Sequence, residues 1–104
     1  MTTPLYQLKA EFFKTLGHPV RIRILELLSE RSRPVSELNE QVAIEASHLS
    51  QQLAVLKRSG LIDSTKSGSS VTYSLLHPEV TELLAVARRI LTEVFRTPQN
   101  FSKT

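Results

Sequence analysis

Leu5, Leu8, Phe12 and Leu16, with Phe13 beside them, fall three or four residues apart, the period of one face of an α-helix, and Pro4 stands where a helix can begin. Gly17 ends that stripe. His18-Pro19 then opens a second helix whose core face is Ile22, Leu25, Leu27 and Leu28, with Arg21, Arg23 and Glu26 turned largely elsewhere. Arg31 to Pro34 reads as a charged loop. Val35, Leu38, Val42 and Ile44 form a further small apolar set, for which Ser36 is the expected N-cap and Glu37 lies in the first turn. This helix has room for only about two turns before the Val42-Ala43-Ile44 corner. A helix that short does not persist alone, so it must brace a longer neighbour. That neighbour carries Leu49, Leu53 and Leu56 on one face.

The period changes after Gly60, which reads as the C-cap of the longer helix. Ile62 to Thr65 and Val71 to Leu75 are β-leaning runs, the second with Val71, Tyr73 and Leu75 in strict alternation, and Lys66 to Ser70 supplies the turn. His77-Pro78 starts the last helix. Val80, Leu83, Leu84, Ala87, Ile90, Leu91, Val94 and Phe95 follow at three- and four-residue steps, with Glu79 and Glu82 where the helix dipole favours acid. The expected fold is mainly α with a β-hairpin, in the order α-α-α-α-β-β-α. It occupies residues 1–96 as one domain, and residues 97–104 form a flexible tail.

The polar face of the longer helix carries the candidate chemistry. Ser47, His48, Gln51 and, beside them, Gln52 offer hydroxyl, imidazole and amide groups, which can meet the donors and acceptors on base edges without a net charge. Two short helices joined by a tight turn divide labour as a helix-turn-helix: the first crosses the DNA backbone and the second enters the major groove. A hairpin directly after the second helix is a wing. Lys57 and Arg58 at the helix end, Lys66, Ser67 and Ser69 in the wing, and Ser36 and Ser50 are the expected phosphate contacts. Arg21 and Arg23 either approach phosphate or are solvated or paired with nearby acids. The bland reading of the same pattern is an amphipathic helix with a solvated face.

In this order, FFKTLGHPVRIRILELLSE, VSELNEQVAIEASHLSQQLAVLKRSGLI and SGSSVTYSL resemble the ArsR/SmtB family of winged helix-turn-helix transcriptional regulators over roughly residues 10 to 95. The resemblance implies a homodimer that binds operator DNA, usually represses, and often releases on sensing a metal or another small signal. The apolar stripes of the first and last helices, with Leu5, Leu8, Phe12, Leu83, Ala87, Ile90, Leu91 and Val94, are then the dimer interface. Twofold symmetry makes the expected operator an inverted repeat with half-site centres about one helical turn apart.

The family's metal sensors commonly place a cysteine pair where this chain has Pro34 and Ser36, and neither can supply a soft ligand. A second family site, which joins the two copies of the last helix through His and carboxylate ligands, would match His77, Glu79, Ile90 and Glu93. Ile90 cannot coordinate, so only His77, Glu79 and Glu93 remain as a residual nitrogen and oxygen set, and no metal or cofactor is expected. Any effector is an unidentified small molecule or ion.

At 104 residues the chain is short enough to gain from dimerisation. A formal charge of +3 and a pI near 9.6 permit a nucleic-acid partner. With no cysteine there is no disulfide and no thiol switch. No apolar run approaches the roughly 20 residues that span a membrane, and the N-terminus has no signal-peptide core, so the expected location is the cytoplasm. Scattered serines and histidines without a glycine-rich phosphate loop argue against an enzyme. The remaining alternative is a winged-helix protein-interaction module that does not bind specific DNA.

Overall fold

The computed structural model describes residues 2–95; the expected tail at 97–104 lies outside them. The chain runs α1 (Leu5–Leu16), α2 (Pro19–Glu30), β1 (Arg33–Pro34), α3 (Val35–Val42), α4 (Ala46–Arg58), β2 (Ile62–Ser67), β3 (Ser70–Leu75) and α5 (Glu79–Phe95). The five expected helices and the hairpin are all present. The α1–α2 junction follows from its residues. Gly17 closes α1, the His18 imidazole Nδ1 accepts the Val20 N–H at 3.1 Å as the N-cap of α2, and Pro19 sits where its missing N–H costs nothing.

The core forms where α2, α3 and α4 converge on the base of the sheet. Ile24, Leu25, Leu38, Leu49, Leu53, Leu56 and Ile62 are its fully buried members, with Leu27, Leu28, Leu61 and Val80 around them. Two expectations for α2 change. Ile24 is completely buried, while Ile22, expected in the core, is half-buried.

The stretch expected as a charged loop contains a third strand. β1 pairs antiparallel with β3, Arg33 opposite Tyr73 and Pro34 opposite Thr72, giving the strand order β1-β3-β2. Arg33 is only 5% exposed. Its Nε donates to the Leu27 carbonyl at 2.9 Å, and its other nitrogens pair with Glu30 at 2.5 Å and Glu37 at 2.8 Å. The buried guanidinium thus pins the end of α2 to the start of α3. Ser36 is not the N-cap: α3 already begins at Val35, after Pro34, with no side-chain cap. Arg31 also holds Glu37, and its hydrogen bonds keep the Glu37 carboxyl below the usual carboxylate range, with Arg33 adding to the effect and burial opposing it.

Candidate nucleic-acid interface

The helix-turn-helix is fixed at three points. Ala43 ends α3 in the left-handed region at φ 57°, and its N–H returns to the Asn39 carbonyl at 3.2 Å. Half-buried Ile44 anchors the turn before α4 begins at Ala46. At the far end Gly60, at φ +79°, lets its own N–H reach the Lys57 carbonyl and the Leu61 N–H reach Leu56, both at 3.1 Å. This paired closure is the Schellman arrangement, with Leu56 and Leu61 both buried in the core. It sets the direction in which the chain leaves for the wing.

Between these points α4 turns Leu49, Gln52, Leu53 and Leu56 inward. Ser47, His48, Ser50, Gln51, Ala54, Lys57 and Arg58 are exposed, and Ser47, Gln51, Ala54 and Arg58 succeed one another at four- and three-residue steps along the outer side. The expectation for Gln52 is corrected. It is 8% exposed, and its side-chain oxygen accepts a hydrogen bond from Arg21 Nη1 at 2.9 Å, so it faces α2 and is not on the reading face. Arg21 is likewise drawn inward: Nε donates to the Thr15 carbonyl at 2.6 Å and Nη2 to that of Lys14 at 3.4 Å.

The wing is longer and its turn tighter than expected. β2 and β3 pair in register from Ile62 opposite Leu75 to Ser67 opposite Ser70, leaving only Gly68 and Ser69 as the connection. Gly68 takes φ +62°, the positive value that a two-residue hairpin needs at its first central position. Lys66 and Ser67 therefore belong to β2, while Ser69 lies in the turn, and all three are exposed. Lys57 reaches across to the wing, donating to the Ser64 hydroxyl at 2.7 Å. Among the described residues Arg58 and Lys66 have no ion-pair partner and present their charge on this side. Ser36 and Ser50 are exposed.

The terminal helices carry the other exposed surface. Leu5, Leu8 and Phe13 on α1 and Ile90, Leu91, Val94 and Phe95 on α5 are open to solvent, while Phe12 and Leu83 pack partly against the core. Phe12, Leu61, His77, Glu79, Val80 and Leu83 line an apolar groove of about 520 Å³ between these helices. The His77 carbonyl closes the first turn of α5 by accepting the Val80 N–H at 3.0 Å. Glu93 lies fourteen residues after Glu79 on α5, about 21 Å along the axis, so one chain alone does not bring these two carboxylates of the two-copy site together. Among the described residues no three His, Cys, Asp or Glu side chains group closely enough to hold a metal ion, and no helix is long and apolar enough to cross a membrane.

Residues 18–64, which span α2 through the start of the wing, match the family described as bacterial regulatory protein, arsR family. The chain is 58% identical over 92 residues to Rv0081 of Mycobacterium tuberculosis, an HTH-type transcriptional regulator, covering 88% of this chain and 81% of that one. The crystal structure of Rv0081 superposes with a TM-score of 0.82 over 91% of this chain and 96% of that chain, at 55% identity. The transcriptional repressor BigR of Xylella fastidiosa superposes with a TM-score of 0.77 at 33% identity, over 82% and 87% of the two chains. A homodimeric winged helix-turn-helix DNA-binding domain from Mycobacterium bovis gives 0.76 at 25% identity, over 88% and 84%.

Proposed function

The chain belongs to the ArsR family of bacterial regulatory proteins, and we infer from that membership and from the faces of α4, α1 and α5 that it is a homodimeric, sequence-specific DNA-binding repressor. The observation that carries this reading is the outward polar row on α4, flanked by a wing that adds the exposed cation of Lys66. A solvated helix face has no need of a wing beside it or of a lysine bridging the two. Ser47, His48 and Gln51 read base edges in the major groove, and Arg58, Lys66, Ser67 and Ser69 hold phosphates, with Ser36 and Ser50 contacting the backbone from α3 and α4. Lys57 serves phosphate contact and wing position together, because its ammonium has three donors and Ser64 takes one.

The partner across the twofold axis is a second copy of this chain. The described chain leaves Leu5, Leu8, Ile90, Leu91 and Val94 in water at opposite ends of the sequence, and joining two such surfaces removes them all at once. Ala87 lies on the same α5 stretch and belongs to this contact. The operator is an inverted repeat, and a protein at work on DNA operates in the cytoplasm.

Selection from a library of inverted repeats tests the reading, with affinity measured across salt concentrations. A winning duplex whose binding weakens steeply with salt is expected. Gln51→Ala should cost about 1–3 kcal/mol on that duplex and relax base preference at one position, whereas Lys66→Ala should weaken selected and random duplexes alike. Equal behaviour of the two variants on both duplexes would overturn the division into reading and anchoring.

A further inference from the structure

The α1–α2 junction does more than turn the chain. Arg21 spreads its guanidinium over three acceptors on two elements: the Thr15 and Lys14 carbonyls at the end of α1, and the Gln52 side chain on α4. The Thr15 carbonyl belongs to the last turn of α1, where carbonyls lack intrahelical donors, and Arg21 caps it; the Lys14 carbonyl accepts the Gly17 N–H at 3.1 Å as well as Arg21. One helical turn before Gln52, the His48 ring stands edge-on to the His18 ring with centroids 6.2 Å apart. The junction therefore meets α4 twice on successive turns. Gln52 is a buried amide on a helix whose other buried residues, Leu49, Leu53 and Leu56, are all apolar. Its retained polarity fits a role that depends on direction, since a hydrogen bond fixes orientation and apolar contact does not.

We propose that Arg21 and Gln52 are positioning residues for operator recognition: a joint that holds the reading helix α4 at a fixed angle to α1, the helix that carries the contact between copies. The inference rests on the DNA-binding reading above and adds what sets the operator's geometry. In a twofold dimer the separation of the two reading helices depends on how each α4 is oriented relative to its own dimerising helices. Two half-sites can be gripped together only when that separation matches one turn of duplex. Loosening the joint leaves each half able to bind and removes the advance alignment of the pair. Arginine suits the position because its planar fork serves two carbonyls and an amide oxygen together, whereas a lysine ammonium on a flexible stem does not hold that geometry.

The experiment takes the inverted repeat selected by the wild-type protein and derivatives with one base pair added to or removed from the centre, and measures affinity for each beside a single half-site. Wild type should discriminate among the spacings. Gln52→Ala and Arg21→Ala should each lose about tenfold on the selected repeat and most of the spacing discrimination, with half-site affinity nearly unchanged. The double variant should lose no more than the worse single one. Gln52→Glu keeps an acceptor for Arg21 and should retain discrimination; Arg21→Lys should not. Thermal melting of each variant keeps folding apart from alignment, and Gln52→Ala serves if Arg21→Ala fails to fold. If wild type binds no inverted repeat, the DNA-binding reading and the joint fall together. If wild type discriminates and Gln52→Ala matches it at every spacing, or loses half-site and repeat affinity equally, the joint alone is overturned.

Discussion

The helices of the helix-turn-helix and the helices at the two ends of the chain carry apolar stripes of the same period, and the folded chain treats them oppositely. On α4, Leu49, Leu53 and Leu56 are each 2% exposed or less; on α1 and α5, Leu5 and Val94 are both 65% exposed. Periodicity alone cannot separate these cases, because it reports that a helix has an apolar side and not what lies against it. What separates them is position in the chain. α2, α3 and α4 are consecutive and close on one another and on the sheet, whereas α1 and α5 flank them and face outward beyond Phe12, Val80 and Leu83. The middle region is therefore closed within one chain, whereas the end region leaves an apolar surface open, which in the proposed dimer a second copy covers.

The largest effect that sharpens this contrast is in the middle region. Leu53→Ala should cost about 2–5 kcal/mol of unfolding free energy in a urea titration, because it empties space that neighbouring leucines cannot fill. On the end region the same logic moves to association. Ile90→Glu places a charge on the stripe that joins the two copies in the proposed dimer, and should raise the dimer dissociation constant about ten- to hundredfold by sedimentation. Helix content at high protein concentration should remain. A variant dimer as tight as wild type would mean that α5 faces something other than its twin.

The same contrast explains how far the fold was legible before the structure. Long stripes, the Gly60 stop and the alternation at Val71, Tyr73 and Leu75 identify the helices and the wing, since each records burial on one side of a regular element. β1 is not legible in the sequence because two residues, one of them proline, carry no period, and the charge of Arg33 argues for solvent. Its partners, Glu30 and Glu37, were three and four residues away and could have suggested the pin. The place of Gln52 is hidden from pattern for a related reason. An amide looks like a surface group until a donor from another helix is found inside, and Arg21 lies 31 residues earlier. In the wing, a run of polar residues from Lys66 to Ser70 resembled a loop, yet backbone pairing carries Lys66 and Ser67 into the strand. Which exposed residues of α4 sit beside the wing was likewise beyond pattern, because the Lys57–Ser64 contact depends on how the chain leaves Gly60.

A smaller effect tests that exit. Gly60→Ala meets no atom within 4 Å of the added carbon, so the cost is conformational alone and should be about 1 kcal/mol, from holding a side chain at φ +79°. It should appear in the stability of the helix-turn-helix and wing with no change in dimer affinity. Loss of association instead would place the Gly60 turn in the end region's energetics.

The smallest expected difference between the regions is electrostatic. Glu37 is held below the ordinary glutamate value of 4.5 chiefly by its hydrogen bonds to Arg31, and with Arg33 it ties α3 to α2. A carboxylate whose folded value is depressed binds fewer protons than the unfolded chain does at the same pH. Its contribution is therefore complete above the ordinary value and disappears as pH falls through the lowered one. Unfolding free energy compared between wild type and Glu37→Gln should show a wild-type advantage at neutral pH that shrinks below about pH 4.5 and vanishes under stronger acid. Dissociation of the proposed dimer, held through the exposed Leu5, Leu8, Ile90, Leu91 and Val94, should not differ between the two proteins across that range. An advantage for wild type that persists unchanged into strong acid would assign the difference to the shape of the side chain and not to its charge.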